Sequence, residues 1–216
     1  MMHPDQLDIP DATVAALVAD QFPRWAGLPL RRVTGDGTVN AVFRLGDDLS
    51  VRLPLRTEDP EAVRRWLADE AGACRELAAA CPFPAPEPVA LGEPGPGYPL
   101  PWAVQTWLPG RDATVEDPAG SGAFADDLVT LVGALRAADT RGRRFRGPGR
   151  GGDLAAHEDW VEECLRRSEG LLDVPGSRTL WASLCGLPRP SRDVMCHGDL
   201  VPGNVLVRDG RLLAAA

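Results

Sequence analysis

Two short runs of alternating apolar residues, separated by a turn, constrain the fold of this chain more than any other feature. The runs cover 39–45 and 49–53, with a Gly-Asp-Asp sequence between them. Their apolar positions are Val39, Ala41, Phe43, Leu45, Leu49, Val51 and Leu53. Because side chains alternate between the two faces of a strand, the pattern predicts a β-hairpin with one buried face, which ends at Pro54.

Helices and further short strands are predicted around this hairpin. The apolar spacing of 11–22 indicates a helix with Asp11 as its N-cap, and 59–80 indicates a second helix. Eight prolines lie in 82–101. An extended polyproline segment is one interpretation, but strand-like runs at 87–92 and 102–108 favour sheet-edge loops punctuated by proline.

After Gly110 the pattern becomes helical. The residues that fit one helix face are Phe124, Leu128, Leu131, Val132 and Leu135, and those that fit another are Trp160, Cys164, Leu165, Leu171 and Leu172. A late hairpin is predicted at 204–213, with Asp209-Gly210 as a type I′ turn. The order therefore predicts an α+β chain with a β-rich first lobe and a mainly helical second lobe. Clefts between lobes are common ligand sites.

Composition excludes several classes of function. The net charge is −8, which disfavours nucleic acid and favours a cationic small molecule; the arginine-rich run at 141–150 is expected to be a solvated loop rather than an RNA-binding arm. No apolar run reaches the roughly 18 residues of a membrane span, and the first residues do not form a signal peptide. We therefore expect a cytoplasmic protein. Five cysteines without paired spacing predict free thiols.

The segment "HGDLVPGN" carries the clearest chemical pattern, because it places His197, Asp199 and Asn204 close together in the chain. Phosphoryl transfer needs a positioned base for the attacking hydroxyl and oxygen ligands for Mg²⁺. Asp199 suits the first role and Asn204 the second, while His197 would orient the loop. Ordinary loop, cap and strand-start roles stay open for these residues. A metal hydrolase is disfavoured by only three histidines, and a serine hydrolase by the lack of a G-x-S-x-G elbow.

This segment resembles the catalytic loop of aminoglycoside phosphotransferases, which are relatives of the protein kinases. Two further stretches, at 35–54 and 82–110, resemble the nucleotide flap with its hairpin and the approach to the hinge of that family. The resemblance implies a protein-kinase-like two-lobed α+β fold. It also implies an N-lobe at 1–104, a hinge at 105–110 and a partial C-lobe at 111–216.

The resemblance also implies site residues. The phosphates of ATP would meet Gly35, Gly37 and Asn40 in the flap, and Arg52 on the second hairpin strand; Arg52 takes this place because the chain contains no lysine. Glu70 would pair with Arg52, with Asp69 and Glu76 as alternatives. The adenine would bind the backbone at Gln105, Thr106, Trp107 and Leu108. Asp199 and His197 would be catalytic, and Asn204 would hold Mg²⁺.

The pattern departs from that family at its end. There the late hairpin leads into a metal-binding aspartate, whereas here the sequence stops at Ala216, so we expect weak nucleotide binding and no transfer. The resemblance implies an ATP- and Mg²⁺-dependent phosphotransferase that acts on a hydroxyl of a small molecule. The alternatives are a non-catalytic nucleotide-binding remnant and a small-molecule binding protein of the same fold. The acceptor and the oligomeric state stay open.

Overall fold

The computed structural model describes residues 6–33, 39–56, 58–145, 151–188 and 192–215. The chain divides into two compact units. The first, the sheet unit, comprises Met1–Leu131 and Leu200–Ala216, and the second, the helical unit, comprises Val132–Asp199. No helix in the described ranges is long and apolar enough to cross a membrane.

The sheet unit contains a five-stranded antiparallel sheet. Its strands are β1 (Leu30–Arg32), β2 (Asn40–Leu45), β3 (Leu49–Pro54), β4 (Pro88–Gly92) and β5 (Trp102–Thr106), in the spatial order β1-β2-β3-β5-β4. The β2–β3 pair is the predicted hairpin, and it turns at Gly46, whose φ of +62° suits glycine. The two strands predicted within and after the proline-rich segment are also present, as β4 and β5.

The alternating residues of this hairpin form the core as predicted. Phe43, Val51 and Leu53 are fully buried, together with residues of the flanking helices α1 (Asp11–Gln21) and α2 (Pro60–Ala80). Val39 departs from the pattern: it precedes β2 and is 54% exposed.

Helices α1 and α2 begin differently. Asp59 caps α2, because its carboxylate accepts hydrogen bonds from the backbone N–H of Glu61 and Ala62. The prediction that Asp11 caps α1 was wrong. Pro10 occupies the cap position, and the Asp11 carboxylate instead accepts a hydrogen bond from Arg32 Nε at 3.1 Å.

A second, three-stranded sheet contains the late hairpin. Its strands are β6 (Arg111–Asp112), β7 (Val205–Arg208) and β8 (Arg211–Ala215), in that order. The turn residues Asp209 and Gly210 have φ angles of +53° and +67°, which fit the predicted type I′ turn. The hairpin is tied to helix α3 (Gly122–Ala137) by Asp127, which accepts from Arg211 Nε and Nη2 at 2.7 and 2.6 Å.

The helical unit contains α4 (Glu158–Arg167) and α5 (Val174–Cys185). Arg178 of α5 donates to Glu162 of α4, and Trp181 Nε1 donates to Glu158 at 2.7 Å. The predicted apolar face that continued to Leu171 was wrong. The helix ends at Arg167, Gly170 turns with a φ of +81°, and Leu171 is 81% exposed.

Candidate active site

Arg52 lies on the face of the five-stranded sheet that does not contribute to the core. Directly paired residues of neighbouring strands share a face, and Arg52 pairs with Val42 on β2 and with Ala103 on β5. Ser50 and Gln105 form the next pair on the same face. Val42 and Ala103 are partly buried, so this face combines an apolar floor with arginines, among them Arg52 and also Arg44, which pairs with Ser50.

The structure contains an ion pair between Arg52 and Glu70. Arg52 Nη1 donates to Glu70 Oε1 at 2.6 Å, and the two side chains are only 23% and 27% exposed. Of the three carboxylates that the sequence offered as partners of Arg52, Glu70 is the one whose ion pair with Arg52 the structure shows. Arg52 Nη1 also donates to the amide oxygen of Gln105 at 3.3 Å. The structure thus brings three sequence-predicted site residues into one cluster, although their roles toward a nucleotide stay predictions.

The segment 105–108 comprises the last two residues of β5 and the two that follow, and part of its backbone is already hydrogen-bonded. Thr106 N–H donates to Glu87 O at 2.9 Å and Trp107 N–H donates to Asp48 O at 2.7 Å. Among the described residues, the N–H of Leu108 has no acceptor. Thus only one of these three backbone donors is available to a base.

The side chains of this segment are fixed from two sides. Thr106 Oγ1 accepts a hydrogen bond from Glu87 N–H at 2.8 Å, and the ring of Trp107 lies 5.5 Å from the Arg44 guanidinium.

The predicted flap residues Gly35 and Gly37 lie outside the described ranges. Asn40, which was assigned to the flap, is the first residue of β2. Its buried Oδ1 has no hydrogen-bond donor in the described part of the chain.

In the helical unit, His197, Gly198 and Asp199 form a tight local structure. Gly198 has a φ of +79°, a conformation that other residues rarely adopt. This bend lets the Asp199 N–H donate to His197 Nδ1 at 3.3 Å. Burial lowers the pKa of His197. The neutral ring therefore carries its proton on Nε2, and this hydrogen bond links His197 to Asp199; the orienting role of His197 stays a prediction.

Asn204 belongs to the sheet unit. It ends a short 3₁₀ turn, Pro202–Asn204, directly before β7, and its N–H donates to Val201 O at 2.9 Å. Within the described ranges, no group of three or more His, Cys, Asp or Glu side chains is arranged to hold a metal ion.

The contact of the Gln105 side chain with Arg52 was not predicted from the sequence, which assigned only the backbone of Gln105. The available signal was a polar residue in an otherwise apolar strand, "WAVQT". The contact joins residues 53 positions apart, and it follows from the pairing of β3 with β5.

Comparison with known proteins gives consistent matches. The model of a family described as the phosphotransferase enzyme family matches residues 30–214. No curated protein sequence matches the chain.

Three of the similar solved structures are antibiotic phosphotransferases. The GDP complex of wild-type aminoglycoside 2'-phosphotransferase-IIIa has a TM-score of 0.69 at 19% identity; the match covers 96% of this chain and 72% of that one. Macrolide 2'-phosphotransferase MphH from Brachybacterium faecium has a TM-score of 0.62 at 24% identity, with 95% and 70% coverage. The streptomycin-ATP-APH(2")-IIa ternary complex has a TM-score of 0.61 at 15% identity, with 97% and 72% coverage. At these identities the likeness shows the fold, and it confirms the predicted kinase-like α+β class.

Proposed function

The chain belongs to the phosphotransferase enzyme family, and we propose that it transfers the γ-phosphate of ATP to a hydroxyl group of a small molecule. The observation that carries this proposal is the Arg52–Glu70 ion pair on the non-core face of the sheet. A cation held by a carboxylate beside an apolar floor suits a nucleotide, because the floor receives the base and the cation receives the phosphates.

The nucleotide would bind mainly to the sheet unit. Its base would lie over Val42 and Ala103 and accept a hydrogen bond from Leu108 N–H, the backbone donor left available at 106–108. Gly35, Gly37 and Asn40 would approach the phosphates, with Arg52 as their cation. The sequence predicted that the adenine binds the backbone at 105–108. Because the N–H groups of Thr106 and Trp107 already have acceptors, only the N–H of Leu108 would donate to the base.

Mg²⁺ belongs to the proposal as part of the nucleotide complex. Asn204 would supply one neutral oxygen ligand, and phosphate oxygens and water would supply the others. Such an ion would neutralise charge on the phosphates.

Asp199 is the proposed general base. Its carboxylate would accept the proton of the acceptor hydroxyl while that oxygen forms a bond to the γ-phosphorus and the bond to the ADP oxygen breaks. His197 would hold the loop through the Asp199 N–H. Because His197 Nδ1 accepts from the Asp199 N–H and Nε2 would carry the proton, the ring would have no available lone pair, which leaves the Asp199 carboxylate to take the proton.

The acceptor that we propose is a cationic small molecule such as an aminoglycoside. Structural neighbours were solved with kanamycin, streptomycin and gentamicin. The net charge of −8 favours a cation over an anion. The proposed location is the cytoplasm, where ATP is available and where the five free cysteines would stay reduced.

Calorimetric titration with ATP and GTP, followed by a phosphate-transfer assay with aminoglycosides and macrolides, tests the proposal. We expect ATP to bind; if transfer occurs, which the end of the sequence argues against, it should be lost in Asp199→Asn. Asp159→Asn, an exposed aspartate of the same unit, is the matched control and should behave as the unsubstituted chain. Binding without transfer would favour the non-catalytic alternative, and failure to bind either nucleotide would refute the proposal.

A further inference from the structure

The guanidinium of Arg52 is held at one of its three nitrogens. Nη1 donates both to Glu70 Oε1 at 2.6 Å and to Gln105 Oε1 at 3.3 Å. In the part of the chain that the structure describes, Nε and Nη2 of Arg52 have no acceptor. The two oxygens therefore occupy one corner of the group and leave one edge open.

The open edge is the one that binds oxyanions best. Nε and Nη2 donate in parallel and match two oxygens of a carboxylate or a phosphate. The chain uses this same edge elsewhere: Arg211 binds Asp127 through Nε and Nη2 at 2.7 and 2.6 Å, and Arg178 binds Glu162 through them at 2.9 and 2.5 Å.

Glu70 by itself does not set the direction of this edge. One oxygen on one nitrogen leaves the planar group free to rotate about that contact, whereas a second oxygen from another direction restricts the plane. Gln105, on β5, supplies this second oxygen, and Glu70, on α2, supplies the first. The backbone of Gln105 is fixed in the sheet, because it pairs with Ser50 and its carbonyl accepts from Ser50 Oγ at 3.4 Å.

This orientation matters because the cation is an arginine. A lysine ammonium acts as a point charge and needs no plane, but a guanidinium binds two oxygens only when its edge points at them. The chain has no lysine that could replace Arg52.

We propose that Gln105 is a positioning residue, which together with Glu70 occupies Nη1 of Arg52 so that the Nε–Nη2 edge is presented to a nucleotide phosphate. This inference rests on the proposed function, since it assumes that a nucleotide binds at Arg52. It assigns the side chain of Gln105 to the phosphates, through Arg52, rather than to the base.

Calorimetric titration of the full chain with ADP and with adenosine tests the inference, because only ADP carries phosphates. Gln105→Met keeps the length of the side chain and removes the amide oxygen. We expect ADP to bind about three- to tenfold more weakly, as for the loss of one hydrogen bond of ordinary strength, and adenosine binding to stay unchanged. In an Arg52→Met background, Gln105→Met should cause no further loss, because its effect passes through Arg52.

Arg64→Met is the matched control. Arg64 also pairs with a glutamate, Glu93, and in the described part of the chain it has no hydrogen bond or ion pair with Arg52, Glu70 or Gln105, so ADP binding should not change. Thermal unfolding of each variant verifies that the fold is retained. An equal loss of ADP and adenosine binding in Gln105→Met, or an undiminished loss in the Arg52→Met background, would overturn the inference and leave the proposed function intact. If the unsubstituted chain binds neither ligand, both fail.

Discussion

Replacing Arg52 or Glu70 should destabilise the sheet unit by an amount that follows from the geometry of their ion pair. The contact is 2.6 Å long, and the side chains are 23% and 27% exposed. A hydrogen bond to a charged group contributes roughly 1.5–3 kcal/mol, and exposed pairs contribute at most about 1 kcal/mol. Because this pair is mostly but not fully buried, we expect a coupling free energy of about 1–2 kcal/mol.

A double-mutant cycle measures this quantity directly. Arg52→Met, Glu70→Gln and the double variant are unfolded in urea at 25 °C, with tryptophan fluorescence as the signal. The coupling is the difference between the effect of the double variant and the sum of the two single effects. Each 1 kcal/mol should also lower the melting temperature by about 2–4 °C for a chain of this size.

The exposed pair Arg64–Glu93 provides the comparison cycle. It also joins an arginine and a glutamate, but Glu93 is 57% exposed, so solvent and salt screen it more. We expect a smaller coupling there, and a larger decrease of it in 0.5 M salt. If the coupling of Arg52 with Glu70 is not larger than this control, the pair does not organise the site as we argue.

Three further predictions concern the loop at His197. In a version with a completed C-terminus, Asp199→Asn should lower kcat by about 10²- to 10⁴-fold and affect ATP affinity far less, and equal turnover of the variant and its unsubstituted parent would contradict its role as base. Since burial lowers the pKa of His197 from its usual 6.5, the unfolded state binds more protons just below pH 6.5. The free energy of unfolding should therefore fall as the pH decreases from 7 through 6.5 toward the lowered pKa, and His197→Gln should show less of this decrease in urea titrations; an identical pH profile would refute the assignment. Gly198→Ala should destabilise the loop by about 1–2 kcal/mol, because its φ is +79°, and should lower kcat more than ATP affinity; an active, equally stable variant would show that the bend is not required.

Local patterns predicted most of the strands. The β2–β3 hairpin and the Asp209-Gly210 turn depend on side-chain alternation and on residues that tolerate positive φ, and neighbours in the sequence determine both properties. The strands β4 and β5 were predictable for the same reason, despite the prolines around them.

Two predictions made from local patterns failed, one because of a distant residue and one because of a turn in the backbone. Asp11 has the chemistry of an N-cap, but Arg32, 21 positions later, takes its carboxylate. The apolar spacing from Trp160 to Leu171 suggested one helix face, but the chain turns at Gly170 between them. In each case the local preference was real, and a tertiary contact or a backbone turn prevailed over it.

In the cluster around Arg52, one contact could be expected from the sequence and the other could not. The pairing with Glu70 came from a resemblance that includes a strand cation and a helix carboxylate, and the structure contains that pair. The contact of Gln105 depends on how β5 pairs with β3, which no local pattern specifies. An arginine in this position requires such a contact more than a lysine would, because a planar cation must be directed as well as neutralised. Other members of this family that carry an arginine at this strand position can therefore be searched for the same sequence feature. That feature is a polar residue within an otherwise apolar neighbouring strand, in a chain without lysine.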